Sequence, residues 1–339
     1  MTPFPPEDLL PKTPDARWDG FFLIAIFPPD SPIRWLKFHL YVGAVRTGRL
    51  PIAVLEGMSG PGHLFETVCF DHRLIQHCSP ILRDQIEVTR EPYRLEILGR
   101  FRLAGAWPNF TWDIDDPDHA LSARFSIQAH DRQQWCPPTH AFGRHIGCRL
   151  GNILTYFGLH SALEGEVAVE GNSYPLAGFG ILEHAWGADT RLPLPNLLRG
   201  FWHWDVLSFH DPDEPHAAVA ALALAPMGRR PLPICGGGHI PGTEFRKNCG
   251  LKLTYRATRE VDGVIVPTEW EGGIANRLGR LDYTATVAGP VLTPFPGGAF
   301  LGFTFQGIYT PRSGSPRNLS GTGLTELGRR VPTQGDRDA

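Results

Sequence analysis

Residues 164–187, EGEVAVEGNSYPLAGFGILEHAWG, constrain the fold more than any other stretch of the chain. Glu166, Ala168 and Glu170 alternate with Val167 and Val169, which is the period of a half-buried strand. Gly171-Asn172 then predicts a tight hairpin turn, because both residue types tolerate positive φ. A second strand is expected from Tyr174 to about Trp186. It would place Tyr174, Leu176, Gly178, Gly180, Leu182, His184 and Trp186 on one face. Pro175, Ala177, Phe179, Ile181, Glu183 and Ala185 would lie on the other. Both faces are mostly apolar, so the strand should be covered on both sides. Glu183, His184 and Trp186 are then polar or amphipathic groups in an apolar place, where each needs a partner or a task.

The same kind of pattern recurs along the chain. Short runs such as FFLIAIF (from Phe21), HLFETVCFDH, LKLTYRATRE, RLDYTATVAG and AFLGFTFQGIYT follow one another between turns rich in glycine and proline. In ALSARFSIQAH, Leu121, Ala123, Phe125 and Ile127 alternate with Ser122, Arg124, Ser126 and Gln128, a half-exposed antiparallel strand. A chain of 339 residues is too long for one simple barrel, so two all-β domains are expected. The expected bounds are a flexible arm over 1–19, a barrel over 20–188, a second barrel over 189–328 and a loose tail over 329–339. A proline-bearing linker is expected near 188–200. Residues 131–160 are less regular and read as a crossing segment or a short helix. CGGGH, from Cys235, lacks the residues of a phosphate loop and reads as a turn or lid.

Composition excludes several classes. Net charge is −3 with no basic run, which argues against a nucleic-acid partner. The six cysteines form no C-x-x-C pair, and the acidic, proline-rich start lacks the features of a signal peptide. The cysteines therefore read as reduced core residues of a cytoplasmic protein. No apolar run reaches transmembrane length.

The hairpin also carries a resemblance. Its pattern of Gly165, Val167, Val169, Gly171, Tyr174, Gly178, Gly180, Glu183, His184, Trp186 and Gly187 resembles the signature of the CrtC/AttH-like family. GTGLTELG, from Gly321 to Gly328, is similar to that family's closing strand. The resemblance implies two lipocalin-like antiparallel barrels packed side by side, and chemistry without a cofactor on isoprenoid or polyketide carbon skeletons. The chain departs from the family in having Glu183 where aspartate is usual and Ala185 where a second acid is often found.

Two constellations carry chemistry. In Glu183-His184-x-Trp186, the indole offers a flat, electron-rich face for a polyene or a developing cation. The imidazole could move a proton, and an acid in an apolar pocket keeps its proton near neutrality. The bland alternative is a barrel plug, with His184 capping backbone groups. In Trp202-His203-Trp204-Asp205, strand period sets the tryptophans on one side and the His–carboxylate pair on the other. The alternative here is an aromatic interface strand.

The catalytic candidates are thus Glu183, His184, His203 and Asp205, with Trp186, Trp202, Trp204 and Tyr174 as substrate contacts. The two motifs are expected to meet at one cavity near the domain junction. No metal site is expected, since His203, His210 and His216 match no helix-borne spacing. The expected function is a cofactor-independent cyclase, isomerase or hydratase acting on a hydrophobic unsaturated small molecule. The alternative is a lipid or pigment carrier, because apolar cavities serve both roles.

Overall fold

Alternating apolar segments become strands almost everywhere. The computed structural model describes residues 18–42, 62–81, 85–135, 155–187, 201–210, 218–225, 232–240, 243–245, 250–275, 279–293 and 298–329. Among them are twenty β-strands and no α-helix. The chain divides into two compact units, each with its own sheet.

The first unit holds β1 (Trp18–Ile26), β2 (Ile33–Val42), β3 (Gly62–Phe70), β4 (Leu74–Ile81), β5 (Ile86–Thr89) and β6 (Tyr93–Ile97). It continues with β7 (Phe101–Ala106), β8 (Asn109–Asp116), β9 (Leu121–Trp135), β10 (Thr155–Val169) and β11 (Asn172–Gly187). The second holds β12 (Phe201–Phe209), β13 (Ala218–Ala225), β14 (Leu232–Ile240), β15 (Thr243–Phe245) and β16 (Gly250–Val261). It ends with β17 (Val264–Ala275), β18 (Gly279–Leu292), β19 (Gly298–Pro311) and β20 (Arg317–Arg329).

Both sheets follow one plan. Each strand pairs antiparallel with its neighbours in chain order, and the first strand of each unit pairs with the last: β1 with β11, β12 with β20. The ring is interrupted between β4 and β5 in one sheet and between β15 and β16 in the other. This is the up-and-down barrel arrangement, used twice. Inward residues of alternate register fill each interior. In the first unit Phe38, Leu95, Leu103, Trp112 and Phe125 join one cluster. In the second, Leu207, Phe209, Trp270, Leu281, Tyr283, Phe303 and Phe305 do so.

The β10–β11 hairpin forms, but its turn lies one residue earlier than expected. Val169 pairs with Asn172, so the loop is Glu170-Gly171, with φ of 52° and 79°. Positive φ at both positions gives the two-residue turn whose twist suits antiparallel strands. Asp262-Gly263 repeats this between β16 and β17, with φ of 50° and 77°. From Gly178 to His184 every residue of β11 is buried, so the strand is covered on both faces.

Two other expectations shift. CGGGH is no lid: Gly236, Gly237 and Gly238 lie within β14 and pair with β13. Strand β1 begins at Trp18, inside the expected arm. Residues 131–135 extend β9 and 155–160 open β10, while 136–154 fall outside the described residues. The expected linker over 188–200 and the tail beyond 329 also fall outside them. Cys69 is buried and free, whereas Cys78 is free but exposed rather than a core residue. No described helix is long and apolar enough to cross a membrane.

Candidate functional site

Strand β12 places a buried polar group with several partners in the second unit. Its period-2 alternation turns His203, Asp205, Leu207 and Phe209 one way, and Leu207 and Phe209 belong to that unit's core. Asp205 is therefore carried into the barrel interior, where it is 1% exposed. A buried carboxylate is tolerated when donors surround it. Asp205 Oδ1 accepts from Thr325 Oγ1 at 2.5 Å, across the register pair that joins β12 to β20. Its Oδ2 accepts from Tyr283 OH at 2.6 Å and from Trp270 Nε1 at 3.0 Å.

Gly272 makes room for this arrangement. It faces Tyr283 across the β17–β18 pair, and a Cβ there would sit 2.0 Å from the tyrosine ring. Without that gap the phenol could not lie where its hydroxyl reaches Asp205.

His203 completes the cluster. Its Nε2 is 2.7 Å from Asp205 Oδ1, off the line of a straight hydrogen bond, so the contact is chiefly electrostatic. Its Nδ1 lies 3.0 Å from Tyr255 OH. The edge of the imidazole meets Trp270, with ring centroids 5.6 Å apart. Burial opposes ionisation of Asp205, but the imidazole of His203 and the surrounding donors outweigh it and hold its carboxyl below the ordinary value. Asp205 is therefore held as the carboxylate of the His–carboxylate pair. A carboxylate in this position can fix the orientation of the His203 ring. Tyr255 is half-buried on β16.

Within the first unit the expected residues Glu183, His184 and Tyr174 do not lie together. Glu183 and His184 project to opposite faces of β11. His184 is fully buried and stacks on Phe21, a core residue of the first barrel, with centroids 4.0 Å apart. Glu183 lies on the other face, cross-strand from Phe22, which in turn sits beside His39. Tyr174 is at the far end of β11, edge-on to Phe70. Ten residues of strand, about 33 Å, separate it from His184. Trp204 is buried on the face of β12 opposite His203 and Asp205. Trp186 and Trp202 lie in β11 and β12, with side chains outside the described residues. A cavity in the first barrel, lined by Phe21, Phe38, His39, Leu64 and Leu182 among others, measures about 10 Å³, enough for about one water at most.

Sequence reasoning missed Tyr255, Trp270, Tyr283 and Thr325. Thr325 falls within the GTGLTELG motif, which was the available signal. It also missed Glu66 in the first unit. Burial, then a hydrogen bond to Asp116, pushes the Glu66 carboxyl up to about 8.

Neither a protein-family model nor a curated protein matches the chain. Solved structures do. An AttH candidate from Nitrosomonas europaea is 12% identical, with TM-score 0.61 over 97% of both chains. Kievitone hydratase from Nectria haematococca is 13% identical, with TM-score 0.56 over 96% of this chain and 92% of its own. CghA is 7% identical, with TM-score 0.60 over 94% and 90%. Across nearly its whole length, then, the chain has the paired-barrel fold of the AttH-like and hydratase structures, the fold that the hairpin motif implies.

Proposed function

We propose that the chain is a cofactor-independent enzyme that moves a proton to or from an apolar unsaturated small molecule, with His203 and Asp205 at its centre. The observation that carries this is the buried, ionised Asp205 held against His203, whose other nitrogen meets Tyr255. A protonated His203 passes its Nδ1 proton to Tyr255, and Tyr255 gives its own to an alkene carbon. Asp205 balances the imidazolium until its proton leaves, and the positive charge then resides on the carbocation. The resulting carbocation has three fates. Water adds and returns a proton (hydration), an internal double bond closes a ring (cyclisation), or a neighbouring C–H loses its proton (isomerisation). Kievitone hydratase shares the fold, which favours this class of chemistry. The free Cys69 and Cys78 suit the expected cytoplasmic setting.

A carrier would use the same barrels without turnover, and one experiment separates the readings. Linear isoprenoid and polyketide-like polyenes are incubated with the protein in deuterium oxide and analysed by mass spectrometry. Carbon-bound deuterium is expected in the product, and its loss in His203→Asn with retained substrate binding. A product without deuterium points to shape-driven ring closure, and binding without any product points to carriage.

A further inference from the structure

A second polar cluster lies in the first unit, apart from the residues assigned above. Glu66 sits in β3 between the core residues Leu64 and Val68, and Asp116 ends β8 on the face of Trp112 and Ile114. They are 1% and 0% exposed. Neither Glu66 oxygen accepts a hydrogen bond from an N–H or O–H group. What it faces is a second carboxylate and an imidazole: ligand atoms of Glu66, Asp116 and His119 all lie within 4.8 Å of one another. His119 is held in the turn after β8, with Nδ1 2.6 Å from Asp116 Oδ2. His77, cross-strand from Glu66, stacks on His119 with centroids 3.9 Å apart. Arg100 Nη1 reaches Asp116 Oδ1 at 3.1 Å, leaving Glu66 without a donor of its own.

A buried carboxyl whose hydrogen bond is to a second carboxylate rather than to an N–H or hydroxyl donor, and which also faces an imidazole, has the makings of a cation's ligand. The donor set selects the ion. Two carboxylates and an imidazole suit a small first-row divalent ion with nitrogen and oxygen ligands. Ca²⁺ instead takes six to eight oxygens. We propose that Glu66, Asp116 and His119 bind a first-row divalent cation such as Zn²⁺, which clasps β3 to the turn after β8. The His77 ring, packed flat on His119, is a positioning group for that ligand.

The test uses the full-length protein, treated with chelator and titrated calorimetrically with Zn²⁺, with Ca²⁺ in parallel. About one equivalent of Zn²⁺ is expected to bind and to raise the melting temperature, with Ca²⁺ at least tenfold weaker. Glu66→Gln keeps the shape and removes a ligand charge, and it should weaken Zn²⁺ binding at least tenfold, as should His119→Ala. Co²⁺ gives a readout independent of variant folding, because bound to the parent chain it should show visible d–d bands of nitrogen and oxygen ligation. Failure of the parent chain to bind Zn²⁺ overturns the proposal. So does Zn²⁺ binding that both variants leave unchanged, which would place the ion on histidines elsewhere, and so does Ca²⁺ binding as tight as Zn²⁺.

Discussion

Asp205 shows how much one side chain depends on others that are distant in sequence. Its donors come from Trp270, Tyr283 and Thr325, and its charge partner from His203. Asp205→Asn puts an amide N–H₂ among groups that are themselves donors, so at least one pairing is lost. The expected cost is about 3 kcal/mol. Tyr283→Phe removes one donor of several, at about 1–2 kcal/mol. Urea midpoints should rank in that order. The pH dependence of the Asp205→Asn difference follows from the direction of the shift. The folded chain holds the Asp205 proton less tightly than the unfolded chain does, so its stabilisation is complete above the ordinary carboxyl value of 3.8. It is lost as pH falls through the lower folded value. The gap between parent and variant should therefore persist down to about pH 4 and narrow below it; a gap that already closes between pH 7 and 5 would mean Asp205 is not held ionised. The pair itself was legible, since period 2 in WHWD turns His203 and Asp205 to one face. Its partners were not, because they lie 65, 78 and 120 residues away, and cross-strand register has no local sequence signature.

At the scale of the element, glycine does two separable jobs. Gly263 has φ of +77° and open space around it, so its task is conformational. Gly272 has an ordinary strand backbone, and its task is to leave space for the Tyr283 ring. Gly263→Ala should therefore cost about 1–2 kcal/mol, the price of a left-handed alanine, and leave turnover intact. Gly272→Ala should cost about 1–3 kcal/mol through overpacking. Because it moves the tyrosine that holds Asp205, it should also lower activity several-fold with little change in KM. Equal kinetic effects of the two substitutions would disconnect Gly272 from the site. The elements were easier to read than their ends. Alternation and Gly/Pro punctuation found the β10–β11 hairpin, but Gly171-Asn172 and Glu170-Gly171 are both plausible turn pairs. The pairing of Val169 with Asn172 decides between them. CGGGH misled because glycine signals a turn locally, yet the β13 pairing gives those backbone groups partners and keeps them extended.

The whole molecule is one architectural plan written twice. The repeat is one of topology: both units were expected from chain length and strand pattern, and each sheet follows the same plan of strand order. Each sheet closes its first strand on its last, and each interior has its own cluster of buried aromatic and aliphatic groups. Much of the hydrophobic burial is therefore gathered into clusters that belong to one unit or the other, and cooperativity follows those clusters. Calorimetry of the full chain should resolve two transitions. Phe125, fully buried in the first interior, and Phe305, 3% exposed in the second, report on them separately. Phe125→Ala and Phe305→Ala each remove about 3–5 kcal/mol of core packing. Each substitution should lower one transition by several degrees and leave the other within about a degree. If either variant shifts both transitions together, or the parent melts in a single step that both variants move equally, the barrels unfold as one body. Damage to either core would then reach His203 and Asp205 from anywhere in the chain.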